Sequence, residues 1–106
     1  MLDFAFATQQ EICTELGLRL KRQRLAQQVT QKDLAARAGV SSGTVKNLES
    51  KGQASLESLV RIVMALNLSD ELGGLFQLQI TSIADMARNE QAQRVRASAT
   101  KRGTKA

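Results

Sequence analysis

Proline, tryptophan, tyrosine and histidine are absent from this chain of 106 residues, and cysteine occurs once. With Cys13 alone, no intrachain disulfide can form, and without histidine a structural zinc site lacks its usual ligand set. No metal or cofactor is expected. The missing histidine also removes the commonest general base. Neither a second cysteine nor a cluster of carboxylates replaces it, so nothing argues for an enzyme. Long apolar runs are missing too; residues 62–66 are typical of the longest, against the roughly 20 needed to span a bilayer. Residues 1–10 hold no Lys or Arg, so the basic opening of a signal peptide is lacking and a cytoplasmic location is expected.

What is present suits one small domain. Hydrophobic residues make up 42% of the chain with only three phenylalanines, which points to a helical core of Leu, Val, Ile and Ala. Charge is unevenly placed. Residues 1–80 carry 9 basic and 8 acidic side chains, a net of +1, whereas residues 81–106 carry 6 basic and 2 acidic, a net of +4. Any polyanion-binding face in the first part must come from local arrangement, and the basic end adds non-specific attraction.

The patterning predicts helices throughout. Thr8 with Glu11 fits a capping box, and Ile12, Leu16, Leu20 and Leu25 follow at roughly helical spacing. Gly17 weakens the middle, so two segments are conceivable here. Cys13 is expected to be buried as a small hydrophobe. Thr30 caps a second helix over Gln31–Ala38, ended by Gly39. Ser41 caps a third over residues 42–49, followed by a turn at Lys51, Gly52 and Gln53. Ser55 caps a fourth over residues 56–66, with Leu59, Ile62, Val63 and Leu66 inward. A short fifth helix opens at Ser69 and reaches Leu75 or Phe76. Ser82 is placed to cap one more, with Ile83, Met86 and Ala87 on one side. Beyond Arg88 periodicity fades, and residues 97–106 read as disordered. Residues 77–80 alternate weakly, too briefly for a strand. The organisation expected is therefore an arm over residues 1–8, a domain over 9–80 and a short helix with a basic tail over 81–106. Phe4 and Phe6, in the arm, pack either back on the core or across a dimer, and the sequence does not choose between the two.

Residues 30–49 carry the functional signal. Two short helices that cross steeply need a small residue at the crossing, and Ala35 sits there. The turn needs a positive φ, which Gly39 supplies. Leu34, Val45 and Leu48 lock the pair onto the domain. Ser42, Gly43, Thr44, Lys46 and Asn47 then fall on the outward side of the second helix, and the first amides of both helices, at Gln31 and Ser42, point where phosphates can sit. This is the arrangement that reading a DNA major groove requires.

The stretch TQKDLAARAGVSSGTVKNLESKG resembles the helix-turn-helix of lambda-repressor-like, Cro/C1 or XRE-type regulators. The most specific pieces are Thr30-Gln31, Leu34-Ala35, Gly39-Val40-Ser41 and Leu48-Glu49. The resemblance implies an all-α, five-helix DNA-binding domain that contacts double-stranded DNA through Gln31, Ser41, Ser42, Gly43, Thr44, Lys46, Asn47 and Lys51. It also implies a salt bridge between Arg24 and Glu49. Gly43 departs from the pattern, standing where the family often places a base-reading Gln or Arg. Surplus apolar residues at Leu72, Leu75, Phe76, Leu78 and Ile80 point to a homodimer, whose two-fold symmetry matches a palindromic operator. The string ALNLSDELGGLF, followed by SIADMAR, is similar to HipB-like antitoxins, which bind a HipA-like serine/threonine kinase toxin and repress their own operon. A stand-alone repressor of the XRE type, and a protein-interaction module that has lost DNA binding, are the alternatives.

Overall fold

A computed structural model of the chain describes residues 2–79 and 83–103, with side chains described as far as residue 96. Six helices and no strand occur among the described residues: α1 (Gln9–Ala26), α2 (Gln31–Ala38), α3 (Ser42–Lys51), α4 (Leu56–Ala65), α5 (Ser69–Leu72) and α6 (Ile83–Gly103). The chain divides into two compact units, Met1–Leu75 and Phe76–Ala106.

The first four helices share one grammar. Each begins at a hydroxyl: Thr8, Thr30, Ser41 and Ser55 accept from the backbone N–H of Glu11, Asp33, Thr44 and Ser58 at 3.0–3.1 Å. Each cap satisfies one of the amides that the first turn leaves without a carbonyl partner. At Thr8 the capping box is complete, because the Glu11 carboxylate accepts from the Thr8 N–H at 2.9 Å. Each helix also ends by turning left-handed, at Gln28, Gly39, Gly52 and Asn67 (φ 59°, 72°, 67° and 62°). After α1 the Val29 N–H reaches back to the Arg24 carbonyl, and after α4 the Leu68 N–H reaches the Val63 carbonyl. This double-bonded terminator re-pairs the last carbonyls and throws the chain into the next helix.

The core of the first unit is Val29, Leu34, Ala35, Ala38, Val45, Leu48, Ile62 and Leu66, with Leu20, Leu59 and Leu68 packed on its edge. Helices α2, α3 and α4 each give it a stripe. Contact with α1 is of another kind, because its buried residues are Gly17 and Arg24 rather than a row of leucines. A Cβ on Gly17 would overlap the Leu48 carbonyl oxygen, and one on Gly52 would overlap the Cys13 carbonyl. The two glycines thus let the backbones of α1 and α3 lie against each other, and Gln10 Nε2 donates to the Lys51 carbonyl at 3.2 Å across the same contact.

Several expectations are corrected. Gly17 does not divide the first helix, which runs unbroken over 18 residues; the residue is there for the close approach. Leu16 and Leu25 are 38% and 55% exposed, because α1 turns its glycine rather than its leucine stripe to α3. Cys13 is half-buried rather than buried. Helix α3 continues to Lys51, two residues past the expected end, and stops at Gly52. Helix α5 closes at Leu72, with Gly73 at its C-terminus, short of Leu75. Residues 97–103, read as disordered, continue α6; Ala97, Ala99, Lys101 and Arg102 are good helix formers even where apolar periodicity is lacking. The disorder expected for residues 104–106, the cap at Ser82 and the apolar role of Ile80 lie outside the described residues. In the arm, Phe4 packs back: the Arg19 guanidinium sits 5.0 Å from its ring centroid, whereas Phe6 is 88% exposed.

The same substitution at two glycines should have opposite signs. Gly17→Ala is expected to lower stability in urea unfolding by about 2 kcal/mol or more, because backbone must move to admit the methyl. Gly43→Ala should raise it by about 0.5 kcal/mol, since the nearest atom to its Cβ is Ser41 Oγ at 3.7 Å and alanine costs less backbone entropy.

Candidate nucleic-acid interface

The helix pair α2 and α3 is joined by three residues. Ala35, expected at the crossing, is buried in the core at 3% exposure, and its carbonyl accepts from the Val40 N–H at 3.0 Å. Gly39 takes the left-handed conformation between them. Val45 is fully buried and Leu48 nearly so, which fixes the rotation of α3 about its own axis. The outward face follows from that rotation. Gly43, Lys46, Asn47 and Ser50 are exposed along one stripe, with Lys51 beyond it, and Ser42 and Thr44 are half-buried at its edge.

Not all of these side chains are equally free. Ser41 is a cap first: its hydroxyl accepts from the Thr44 N–H at 3.0 Å and shares a 2.9 Å hydrogen bond with Thr44 Oγ1. The first-turn amides of Ser42 and Gly43 lie beyond the reach of any preceding carbonyl in the helix and are offered to an incoming acceptor. Gly43 adds no side chain, so its backbone is bare. Ser50 shares the outward stripe, one turn after Lys46, and was missed in the sequence because it lies past the expected end of the helix. Its hydroxyl donates to the Lys46 carbonyl at 2.7 Å.

Behind the face lies one buried polar cluster. Arg24 meets Glu49 with two parallel hydrogen bonds, Nε to Oε2 at 2.7 Å and Nη2 to Oε1 at 3.0 Å, and its Nη1 donates to the Val29 carbonyl at 2.8 Å. Gln31 Nε2 donates to Glu49 Oε1 at 3.0 Å. Side-chain exposures of 8% for Arg24 and 4% for Glu49 make this an interior pair, and no buried polar side-chain atom is left unpartnered among the described residues. Gln31 therefore meets the interface with its amide already oriented by Glu49, keeping one amide hydrogen and its backbone N–H for a ligand.

Burial pushes the Glu49 carboxyl up, but hydrogen bonds from Arg24 and Gln31, with the charges of Arg24 and Lys21, outweigh it and hold the group below its ordinary value. The Arg24 guanidinium is raised, chiefly by its hydrogen bond to Glu49, against the opposing effect of burial. The electrostatic consequence reaches the surface. Glu49 is the only acid in α3, and it is turned inward and neutralised. The exposed charges of residues 30–51 are then Lys32, Arg37, Lys46 and Lys51 against Asp33 alone. A segment of a nearly neutral unit thus presents a cationic surface.

Away from the outward stripe of α3, one concavity of about 780 Å³ involves Arg37, Leu56, Val60 and Met64 on α2 and α4, and another of about 470 Å³ lies among α1, α4 and α5. No group of His, Cys, Asp or Glu able to hold a metal ion occurs among the described residues, and no helix there is long and apolar enough to cross a membrane.

A family model described as helix-turn-helix matches residues 20–72, half of the chain. No curated protein matches it.

Glu49 gives a pH signature. A carboxyl held below its ordinary value contributes stability that is complete above the unfolded-state value, about 4.3, and is lost as pH falls through the lower folded value. Stability in urea should fall below about pH 4.3 in the parent chain. In Glu49→Gln the part of that fall due to this carboxyl should vanish, and stability at pH 7 should drop by about 3 kcal/mol because Arg24 is left buried without its counter-charge.

Proposed function

The chain belongs to the Cro/C1-type helix-turn-helix family of DNA-binding transcription regulators, and from that premise we propose that it is a sequence-specific repressor that lays α3 in the major groove of a palindromic operator. One observation carries the reading: the outward stripe of α3 is polar, small and free of acid, with Glu49 withdrawn into the interior. Lys46 and Asn47 are the base readers in this account, with Ser42 and Thr44 beside them. Lys suits guanine acceptors and Asn suits the adenine edge. Gln31, Lys51 and the amide of Ser42 hold phosphates, and Ser41 sets the start of α3. Gly43 lets the backbone approach the duplex where a longer side chain would hold it off.

The repressor acts as a homodimer in this reading. Leu75, Phe76 and Leu78 are 50%, 96% and 72% exposed, and the groove among α1, α4 and α5 is lined by Leu16, Leu20, Leu59, Leu68 and Leu72. Each unit thus leaves apolar surface uncovered, and in the first the apolar groove supports an association site. The string ALNLSDELGGLF in the same region supports a second reading, in which the repressor is also the antitoxin of a HipA-like kinase. Co-purification with a kinase encoded beside it decides for that reading, and a neighbourhood without one leaves a stand-alone repressor.

Lys46→Ala and Asn47→Ala are each expected to weaken binding to a site selected from random duplex by about 1–3 kcal/mol and to relax preference at one base position. Gly43→Ala should weaken it too, although the variant is the more stable protein. Unchanged affinity in all three, measured by fluorescence anisotropy, would place the reading surface elsewhere.

A further inference from the structure

Helix α4 is apolar on more sides than one core can use. Of its ten residues only Glu57, Ser58 and Arg61 are polar. Ile62 and Val63 are buried, and Leu59 packs at the edge of the core. Leu56, Val60 and Met64 form a different stripe, spaced four residues apart. Leu56 is 75% and Met64 58% exposed, and Val60 is half-buried. A helix that is apolar nearly all round belongs in an interior, yet this stripe lines an open concavity of about 780 Å³ beside Arg37 and Ala38 of α2. That concavity shares no residue with the groove among α1, α4 and α5, which takes Leu59 and Val63.

The charged residues beside the stripe decide what fits it. Arg61 donates to Glu57 from Nε and Nη2 at 3.2 and 3.0 Å, and both bonds end on Oε2. The other carboxylate oxygen is left for a second donor. Acid comes first and base one turn later, along one flank of the stripe. Laid antiparallel on a second copy, about a two-fold axis through Val60, this pattern matches itself. Leu56 meets Met64 of the other copy, and Glu57 comes beside its Arg61, twice over by symmetry. A parallel arrangement would set Glu57 against Glu57 and Arg61 against Arg61, which repel. We propose that the outer stripe of α4 is a self-association face, separate from the groove assigned above to the operator dimer, and that its occupant is the same stripe of a second copy. One short helix against another is a small interface, so the contact is weak in solution and acts where copies are already held close. On the DNA-binding reading of α3, on which this consequence rests, that place is duplex with neighbouring operators, where one bound repressor holds the next.

The test is run first without DNA, on the full chain with Cys13→Ser to remove the native thiol. Leu56→Cys and Met64→Cys are made separately in that background; both positions are exposed, so thermal unfolding should match the background. The two positions are eight residues apart, about 12 Å along the axis, beyond the span of a disulfide, whose Cα atoms lie about 4.4–6.8 Å apart. Under mild oxidation a mixture of the two proteins should form the mixed covalent dimer, identified by its mass, about tenfold faster than either protein forms a dimer with itself. Adding Glu57→Arg to both should slow the mixed reaction about tenfold, because Arg then faces Arg61 across the axis, and adding Arg61→Glu as well should restore it. Self-linking as fast as mixed linking would overturn the antiparallel face, and so would the absence of any linked product. Because no duplex is present, either result leaves the reading of α3 standing. On duplex with two adjacent selected sites the parent should fill them cooperatively, whereas Glu57→Arg should fill them independently with single-site affinity unchanged. A parent that fills the two sites independently would overturn the role on DNA.

Discussion

The pairing of Arg24 with Glu49 is the interaction on which the rest of the first unit depends. It joins four places that the chain visits separately: the end of α1, the loop at Val29, the start of α2 through Gln31, and the last turn of α3. Removing a carboxylate from water is costly, and the geometry offsets that cost with two bonds from a guanidinium and one from an amide. The same arrangement takes the only acid of α3 off its surface. One buried pair therefore ties α3 to α1 and α2 and leaves its exposed face cationic.

Backbone proximity is the second constraint. Gly17 and Gly52 bring α1 and α3 together so closely that no Cβ fits at either position, and the buried Val45 and Leu48 leave α3 one rotation. The outward position of Lys46 and Asn47 is thus a consequence of packing on the opposite side. For the reading surface proposed above, the residues that set its orientation are those buried behind it.

The parts of this architecture visible in the sequence were those with local causes. Hydroxyl caps at Thr8, Thr30, Ser41 and Ser55, and the left-handed Gly39, announce helix ends within a few residues of themselves. Where the cause is distant, the sequence misleads. Gly17 looks like a weak point until the Leu48 carbonyl is seen against it. Gln28 and Asn67 end helices without the glycine that usually marks such a turn. The leucine stripe of α1 promises a burial that Leu16 and Leu25 do not receive within one copy. Helix α6 was illegible beyond Arg88 because it answers to intrinsic propensity and charge rather than to an apolar period. In the site, Ser50 was hidden by an α3 that runs two residues longer than its acid-and-turn pattern announces. The pairing of Arg24 with Glu49 was implied only by family resemblance, as no periodicity connects residues 25 apart.

The central claim is that the surface formed by the start of α2 and the outward stripe of α3 is the one that meets duplex DNA. Its most direct test is a titration of isotopically labelled protein with a selected duplex, following backbone amide signals by NMR. The account predicts that the amides of Gln31, Ser42, Gly43, Lys46, Asn47 and Lys51 shift most, while those of Leu56, Val60 and Met64 on α4 stay in place. Shifts concentrated on α4, with α3 unmoved, would contradict it.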